Sequence, residues 1–248
     1  MKKESSAAAP APPVAAPPAP AAAIEPAQVA REKLEAARTR RARIEEAEQR
    51  VDPDAAAIGI DAQACAADAR RSWAAQFPQA AAWGNRAQAR EWIGPAGAEA
   101  LYLEAVCTAI WARMQGFTPL IERRDELIGA FARVAQLAPD LDGAGAEREL
   151  GALLAALPTY AGGDLEEARA HLLAAVERAP QDARNHLVLA RTVGVKAQDR
   201  ALFREHLQIA LKSDDALIAA QAQALLQREY ELFGPAEAAQ PIPGGSQR

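Results

Sequence analysis

The chain has 248 residues, a formal net charge of −5 and a pI near 5.4. This acidic balance argues against a nucleic-acid-binding protein, since such proteins present a basic surface to the phosphates. Half of the residues are hydrophobic, but only 5% are aromatic, and alanine supplies much of the apolar content. Because alanine is the best helix former and lets helices approach closely, the composition favours an all-α protein.

The first 26 residues are rich in proline and alanine, and such a segment has little with which to form a core. We therefore predict a disordered tether over 1–26, an all-helical domain over 27–234 and a disordered tail over 235–248. The basic start is not followed by the apolar run of a secretory signal. A processed chain, downstream of a lost lipoprotein signal, would be periplasmic and lipid-anchored, which gives the tether a purpose. Taken literally, the sequence would instead be cytoplasmic.

Charge and proline spacing predict three helices in the first part of the domain. The first, Pro26 to Arg50, is charged and has a thin apolar seam, so we expect it to pack only partly. The second, Asp61 to Gln76, ends before Pro78. A short third helix near Arg86 to Ile93 ends at the Gly-Pro pair that follows.

The segment Ala98 to Gly116 is the most apolar in the chain, and Thr118 to Ala138 is expected to form the next helix. A helix that is apolar nearly all round is surrounded by other helices. The large side chains here permit two interpretations: ordinary core, or the lining of an apolar cavity for a flexible hydrophobic ligand. The candidate cavity residues are Tyr102, Val106, Ile110, Trp111, Met114, Phe117, Phe131 and Tyr160.

Cys65 and Cys107 are the only cysteines and lie on two different predicted helices. Both a structural disulfide in an oxidising compartment and a pair of small buried thiols fit this arrangement. Two cysteines cannot form a four-thiolate zinc site, and the three histidines lack the spacing of a metal-binding helix. No nucleophile elbow or phosphate loop is present in the sequence, so we expect no enzyme, no metal and no cofactor.

From Leu150 to Leu211, the spacing of capping and helix-terminating residues is typical of the paired helices in a tetratricopeptide repeat (TPR). Asp164 and Glu167 have the spacing of a capping box, and Pro180 ends the unit. Small and large residues alternate where two helices must pack closely, at Ala168, Leu172 and Ala175. The partner helix is expected at 144–157, and a second pair at 183–196 and 199–211, which brings the prediction to about nine helices in a TPR-like array.

Two phrases in this stretch carry a family resemblance. Gly162-Gly163-Asp164 is followed by Ala168 and His171, and Gln198-Asp199-Arg200 is followed by Phe203. In this order the phrases resemble the T component of tripartite ATP-independent periplasmic (TRAP) transporters. The resemblance implies a periplasmic, usually lipid-anchored helical protein with degenerate repeats, an apolar pore or cavity, and a periplasmic substrate-binding protein as partner.

Asp199 is expected to cap the helix that starts at Arg200. Arg200 itself is expected either to bond back to the preceding helix or to dock a partner. For the whole chain we predict a transport accessory that binds or passes a hydrophobic small molecule such as a lipid, fatty acid or sterol. The alternatives are a TPR-type protein-interaction scaffold without a small ligand and a cytoplasmic structural protein.

Overall fold

A computed structural model describes residues 25–50, 52–83 and 86–235. Within these ranges the chain forms thirteen α-helices, nine of them long, and no strand, which confirms the all-α prediction. The predicted tether and tail fall almost entirely outside the described residues. The helices are α1 Pro26–Glu48, α2 Ala55–Gln76, α3 Pro78–Ala82, α4 Arg86–Glu91, α5 Ala98–Gln115, α6 Phe117–Glu122, α7 Arg124–Leu137, α8 Gly145–Ala156, α9 Leu165–Arg178, α10 Ala183–Leu189, α11 Arg200–Ala210, α12 Ala216–Gln227 and α13 Glu229–Phe233.

The helices α1 and α2 form an antiparallel pair. The Ser72 hydroxyl, late in α2, donates to the carbonyl oxygen of Ala30, early in α1, at 2.8 Å. The apolar seam of α1 is buried against α2 at Ala30, Ala37 and Ile44, while most of its other residues are exposed, in agreement with the expectation that α1 packs only partly. Small residues suffice for this seam because α2 is itself rich in alanine and lets the two backbones approach closely. The helix α2 begins at Ala55, six residues before the predicted start at Asp61, because the Asp54 side chain caps it there.

The helix α5 is buried along almost its whole length and packs against α1, α2, α6 and α7. This agrees with the prediction from its apolar sequence. The helix predicted over 118–138 is divided at Arg123 into α6 and α7. The division is slight, because the Arg123 N–H still donates to the carbonyl oxygen of Pro119 at 3.2 Å.

The helices α8 and α9 form the closest pair of the repeat region. A Cβ placed on Gly151 would lie 2.6 Å from Leu172 Cγ and 2.9 Å from the Ala168 carbonyl oxygen, so only glycine permits this approach. Ala168 and Leu172 are fully buried, as the repeat pattern predicts. The Asp164 side chain caps α9 by accepting hydrogen bonds from the N–H groups of Glu166 and Glu167 at 2.9 Å each.

The C-terminal helices enclose a second, smaller apolar cluster around Phe203, Leu207 and Ala222. The predicted helix 183–196 is α10 continued by a π-helical turn over Ala190–Gly194. The helices α12 and α13 were not predicted, although α12 begins at a capping residue, Asp215. No described helix is both long enough and apolar enough to cross a bilayer.

Candidate functional site

A pocket of about 450 Å³ lies where α2, α5 and α7 meet the short helices α3 and α4. The helix α5 presents one face to it, with Leu101, Glu104, Ala105 and Thr108 at the spacing of neighbours on a helix. Most of the remaining wall is apolar. It is formed by Trp73, Ala74, Ala80, Ala81, Trp83, Ala89, Leu127 and Ala130, with Arg70, Arg71, Arg90 and Glu126 among them.

A buried carboxylate stands in the wall of this pocket. Glu104 is only 7% exposed, and its Oε2 accepts a hydrogen bond from Trp73 Nε1 at 2.6 Å. Its Oε1 accepts from Arg70 Nε at 2.8 Å and also contacts Arg70 Nη2, which lies 3.6 Å from Glu126 Oε1. A buried charge requires such pairing. The pocket therefore holds, within a mostly apolar lining, a fixed charged cluster that can orient the polar end of a ligand.

A second pocket, of about 210 Å³, adjoins the first because both are lined by Arg70, Glu104 and Thr108. It adds Trp111 and Arg123, whose guanidinium carbon lies 5.5 Å from the centroid of the Trp111 ring. That distance permits a cation–π contact. The two pockets together form a longer cleft, and the polar residues that they share, Arg70, Glu104 and Thr108, lie where the two meet.

The eight predicted cavity residues do not surround one space. Of these residues, only Trp111 lines either of the two pockets. Tyr102, Val106, Ile110 and Phe131 are buried in the main core, and Met114 is partly buried against it. Phe117 and Tyr160 are 46% and 86% exposed. The physical reason is that α5 is apolar on almost every side, so its pattern does not distinguish the face that borders a void.

The sequence interpretation missed the charged cluster of Arg70, Trp73 and Glu104. A signal for it was present, because Glu104 is a carboxylate in the middle of an otherwise apolar run. A charge at such a position needs a buried partner. The partner lies on α2, and the sequence alone does not specify which arginine of α2 faces α5.

Tyr102 has a structural role in a neighbouring network. Its hydroxyl donates to Asp142 Oδ2 at 2.6 Å, and Arg148 Nη2 donates to the same oxygen at 2.6 Å. Burial raises the pKa of Tyr102 well above its ordinary value. Burial opposes ionisation of Asp142 as well, but Arg148, Tyr102 and Arg184 outweigh it and lower the pKa of that carboxyl. The network joins α5, α8 and α10 rather than facing the pocket.

Cys65 and Cys107 form a disulfide, with their Cα atoms 6.0 Å apart. Both residues are fully buried. The bond joins α2 to α5, which are the two helices that supply the charged cluster of the pocket. Among the two sequence interpretations, the structure therefore shows the bonded pair.

Arg200 contacts the C-terminal helix, not the helix before it. Its Nε lies 3.3 Å from Glu229 Oε1, its Nη2 donates to the Gly234 carbonyl oxygen, and its guanidinium carbon lies 5.4 Å from the centroid of the Phe233 ring. Arg200 thus holds α13 against α11, and its role in partner docking stays a prediction. Asp199 caps α11 as predicted, accepting from the Leu202 N–H at 3.0 Å.

A metal centre has no support in the part of the chain that the structure describes, where no group of three or more metal-binding side chains occurs. His186 and His206 lie together, but they pair with each other, their Nδ1 atoms 2.8 Å apart. His171 Nδ1 is 2.6 Å from Glu147 Oε2 on the neighbouring helix. These contacts account for the three histidines as packing and pairing residues.

Comparison with known families matches residues 65–233, more than half of the chain, to the TRAP transporter T-component. No curated protein matches the chain. The matched range includes the helix α5, which lines both pockets, and also the disulfide and the repeat region. It ends at the last residue of α13. The family is one of transport accessories, not of enzymes, and its members are associated with the periplasm and membrane of their transport system. The chain therefore belongs to the T-component family and is an accessory component of a TRAP transport system.

Proposed function

We propose that this protein holds a hydrophobic small molecule, of lipid, fatty acid or sterol type, in the pocket between α2, α5 and α7. The observation that supports the proposal is a largely apolar pocket of about 450 Å³ with a buried, paired carboxylate, Glu104, in its wall. Its size falls in the usual range of small-molecule sites, about 300–1,000 Å³.

The two parts of the pocket have different tasks in binding. Leu101, Leu127 and Ala130 remove apolar ligand surface from water, which contributes about 2.5 kcal/mol for each ~100 Å² buried. Arg70, Glu104 and the Thr108 hydroxyl offer hydrogen bonds to a polar end group of the ligand. A ligand with an apolar body and one polar end suits this division.

Native mass spectrometry before and after removal of bound lipid tests the proposal, followed by titration with fatty acids and sterols. Two neighbouring exposed residues of α3 provide a matched pair of variants, because Ala81 lines the pocket and Ala82 is not among its lining residues. Ala81→Trp is expected to weaken binding at least tenfold, and Ala82→Trp to leave it unchanged. Equal affinities would place the ligand elsewhere. The absence of any saturable adduct would favour the protein-interaction scaffold.

We also propose that the domain is periplasmic, tethered to a membrane through a lipid anchor, and docks the substrate-binding protein of its transport system. Family membership and the proline-rich composition of 1–26 support this. Arg200 would act in docking by positioning α13. Its matched control is Arg204, which also pairs with Glu229, at 2.7 Å, from an exposed position.

Binding of the substrate-binding protein, measured by biolayer interferometry, is expected to weaken in Arg200→Ala and to persist in Arg204→Ala. Unchanged binding in Arg200→Ala, with α13 still in place by hydrogen exchange, would remove Arg200 from the docking surface.

A further inference from the structure

Two tryptophans lie side by side at one end of the helical array. Trp83 follows α3 and Trp92 follows α4, and their ring centroids are 5.9 Å apart. They are 43% and 53% exposed, although tryptophan is a large residue that folding normally buries. We call this pair the Trp83–Trp92 platform. Beside it, Trp92 lines a shallow pocket of about 210 Å³.

The shallow pocket beside Trp92 has no charged residue in its lining, whereas Trp83 borders the larger pocket and its arginines. The shallow pocket is lined by Gln76, Phe77, Pro78, Gln79, Ala80 and Trp92. Paired, exposed aromatic rings with neutral amide neighbours are typical of protein-binding surfaces that recognise an apolar segment. A proline-rich segment suits such a surface particularly well, because aromatic grooves bind polyproline II helices that are already extended.

The N-terminus of α1 lies at this same end. The hydrogen bond from Ser72 to Ala30 places those two residues opposite each other in the antiparallel pair. Pro26 lies one helical turn before Ala30, and Gln76 lies one turn beyond Ser72, in each case about 6 Å along the axis. Because the helices run in opposite directions, both steps lead toward the same end. The chain therefore enters α1 beside Gln76, which lines the shallow pocket.

The segment that precedes α1 has the matching composition. Residues 10–20 contain six prolines, and their other residues are alanine and a single valine. From 7 to 24 the sequence has no charged residue, as the shallow pocket has none. The six residues from Pro20 to Pro26 can span about 19 Å in polyproline II form, whereas α3 is only about 7.5 Å long. This reach is more than twice the length of α3, the helix that separates Gln76 from Trp83 along the chain.

We propose that the Trp83–Trp92 platform binds the proline-rich segment 10–20 of the same chain. Docking would hold this segment against the end of the array where α1 begins, and it would shorten the distance over which 1–26 can separate the domain from whatever its N-terminus is attached to. It would also place the segment beside the larger pocket, since Trp83 lines that pocket as well.

Nuclear magnetic resonance of the indole N–H groups in the full chain tests the proposal. Replacing the six prolines of 10–20 with alanine is expected to shift the signals of Trp83 and Trp92. The signal of Trp73 serves as an internal control, because its indole N–H is buried and donates to Glu104. Trp83→Phe and Trp92→Phe variants assign the signals and conserve an aromatic ring, and circular dichroism checks that each variant is folded.

A spin label gives a second, direct readout. The two native cysteines form a disulfide, so a label attached after Ala15→Cys reacts at position 15 alone. It is expected to reduce the Trp83 and Trp92 indole intensities more than twofold at every protein concentration. A label attached after Gln208→Cys, at an exposed position on α11, is expected to leave them unchanged.

Three results would overturn the proposal. Indole signals that respond neither to the proline replacements nor to the label at position 15 would show that the segment does not dock. Broadening that appears only when labelled and unlabelled chains are mixed would assign the platform to a second copy. Signals that shift with phosphatidylglycerol vesicles, equally in the parent chain and the proline variant, and not with the proline replacements, would assign it to a membrane surface.

Discussion

Gly163 allows a stringent test of the packing at the start of α9. A Cβ at this position would lie 1.9 Å from the Leu157 carbonyl oxygen and 3.1 Å from that of Leu154. Both are backbone atoms at the end of α8, so no side chain can rotate to relieve the contact. The loop cannot easily move either, since the Gly163 N–H donates to the Pro158 carbonyl oxygen at 3.0 Å.

The expected cost of Gly163→Ala follows from these contacts. Overpacking costs about 1–3 kcal/mol in general, and a clash with fixed backbone belongs at the upper end. The reduced entropy of the unfolded chain returns at most about 1 kcal/mol. We therefore expect Gly163→Ala to lower the free energy of unfolding by about 2–3 kcal/mol, which corresponds to a decrease of several degrees in Tm.

Urea unfolding followed by circular dichroism at 222 nm measures this loss. Gly94→Ala is the matched control, because a Cβ there would lie at an ordinary contact distance of 3.5 Å from the Phe77 ring. Its unfolding free energy is expected to stay the same or to rise by up to about 1 kcal/mol, because the unfolded chain loses entropy and no clash opposes the gain. If both variants lose the same stability, the close approach of α8 and the loop before α9 is not rigid and the reasoning fails.

Three further predictions concern stability. Asp199→Ala should cost about 1 kcal/mol, since it removes the cap of α11, while Asp199→Asn retains it; equal urea midpoints in the two variants would contradict the cap. Burial, and then the neighbouring His186, lower the pKa of His206 below 6.5, so the unfolded chain takes up this proton before the folded one. The contribution of His206 to stability should therefore be complete above pH 6.5 and decrease as the pH falls below this value. The urea midpoint of the parent chain should be lower at pH 5.5 than at pH 7.5, and His206→Gln should reduce this difference. If the difference is unchanged in His206→Gln, other groups cause the pH dependence. The Cys65–Cys107 bond joins residues 42 apart in sequence, so its reduction should lower the free energy of unfolding by about 4 kcal/mol through the added entropy of the unfolded chain. A Cys65→Ala/Cys107→Ala variant should have the same urea midpoint as the reduced protein, and a midpoint equal to that of the oxidised protein would contradict this prediction.

The sequence predicted those parts of the fold whose signals are local. Asp164 and Asp199 cap their helices because a carboxylate at the first free N–H groups is sufficient, whatever surrounds it. Ala168, Leu172 and Ala175 follow the small-and-large pattern of closely packed helices, and the structure confirms that all three are buried. The Gly162-Gly163-Asp164 motif of the family likewise begins at a residue with a left-handed backbone conformation, φ of +80°, which glycine adopts readily.

Features that depend on distant contacts could not be predicted in the same way. The location of the pocket depends on which face of α5 lacks a neighbour, and an apolar pattern on all sides conceals this. The helix α12 was missed because its alanine- and glutamine-rich sequence buries only Ile218 and Ala222, so its periodicity is weak. The π-helical turn after α10 includes Gly194, which packs closely against Phe203 of α11, and the local sequence does not specify such a contact between helices.

The disulfide between α2 and α5 also bears on how a ligand would bind. Cys107 directly precedes Thr108 in the pocket wall, and Cys65 directly precedes Ala66 in the wall of the adjoining pocket. The covalent bond therefore limits how far these two walls can separate, whether or not a ligand is present. A ligand would bind a preorganised site, so little conformational entropy of the protein would be lost on binding. In a reducing medium a ligand would have to order the same site itself, so the redox state of the compartment would act on the ligand affinity of the proposed site as well as on the stability of the domain.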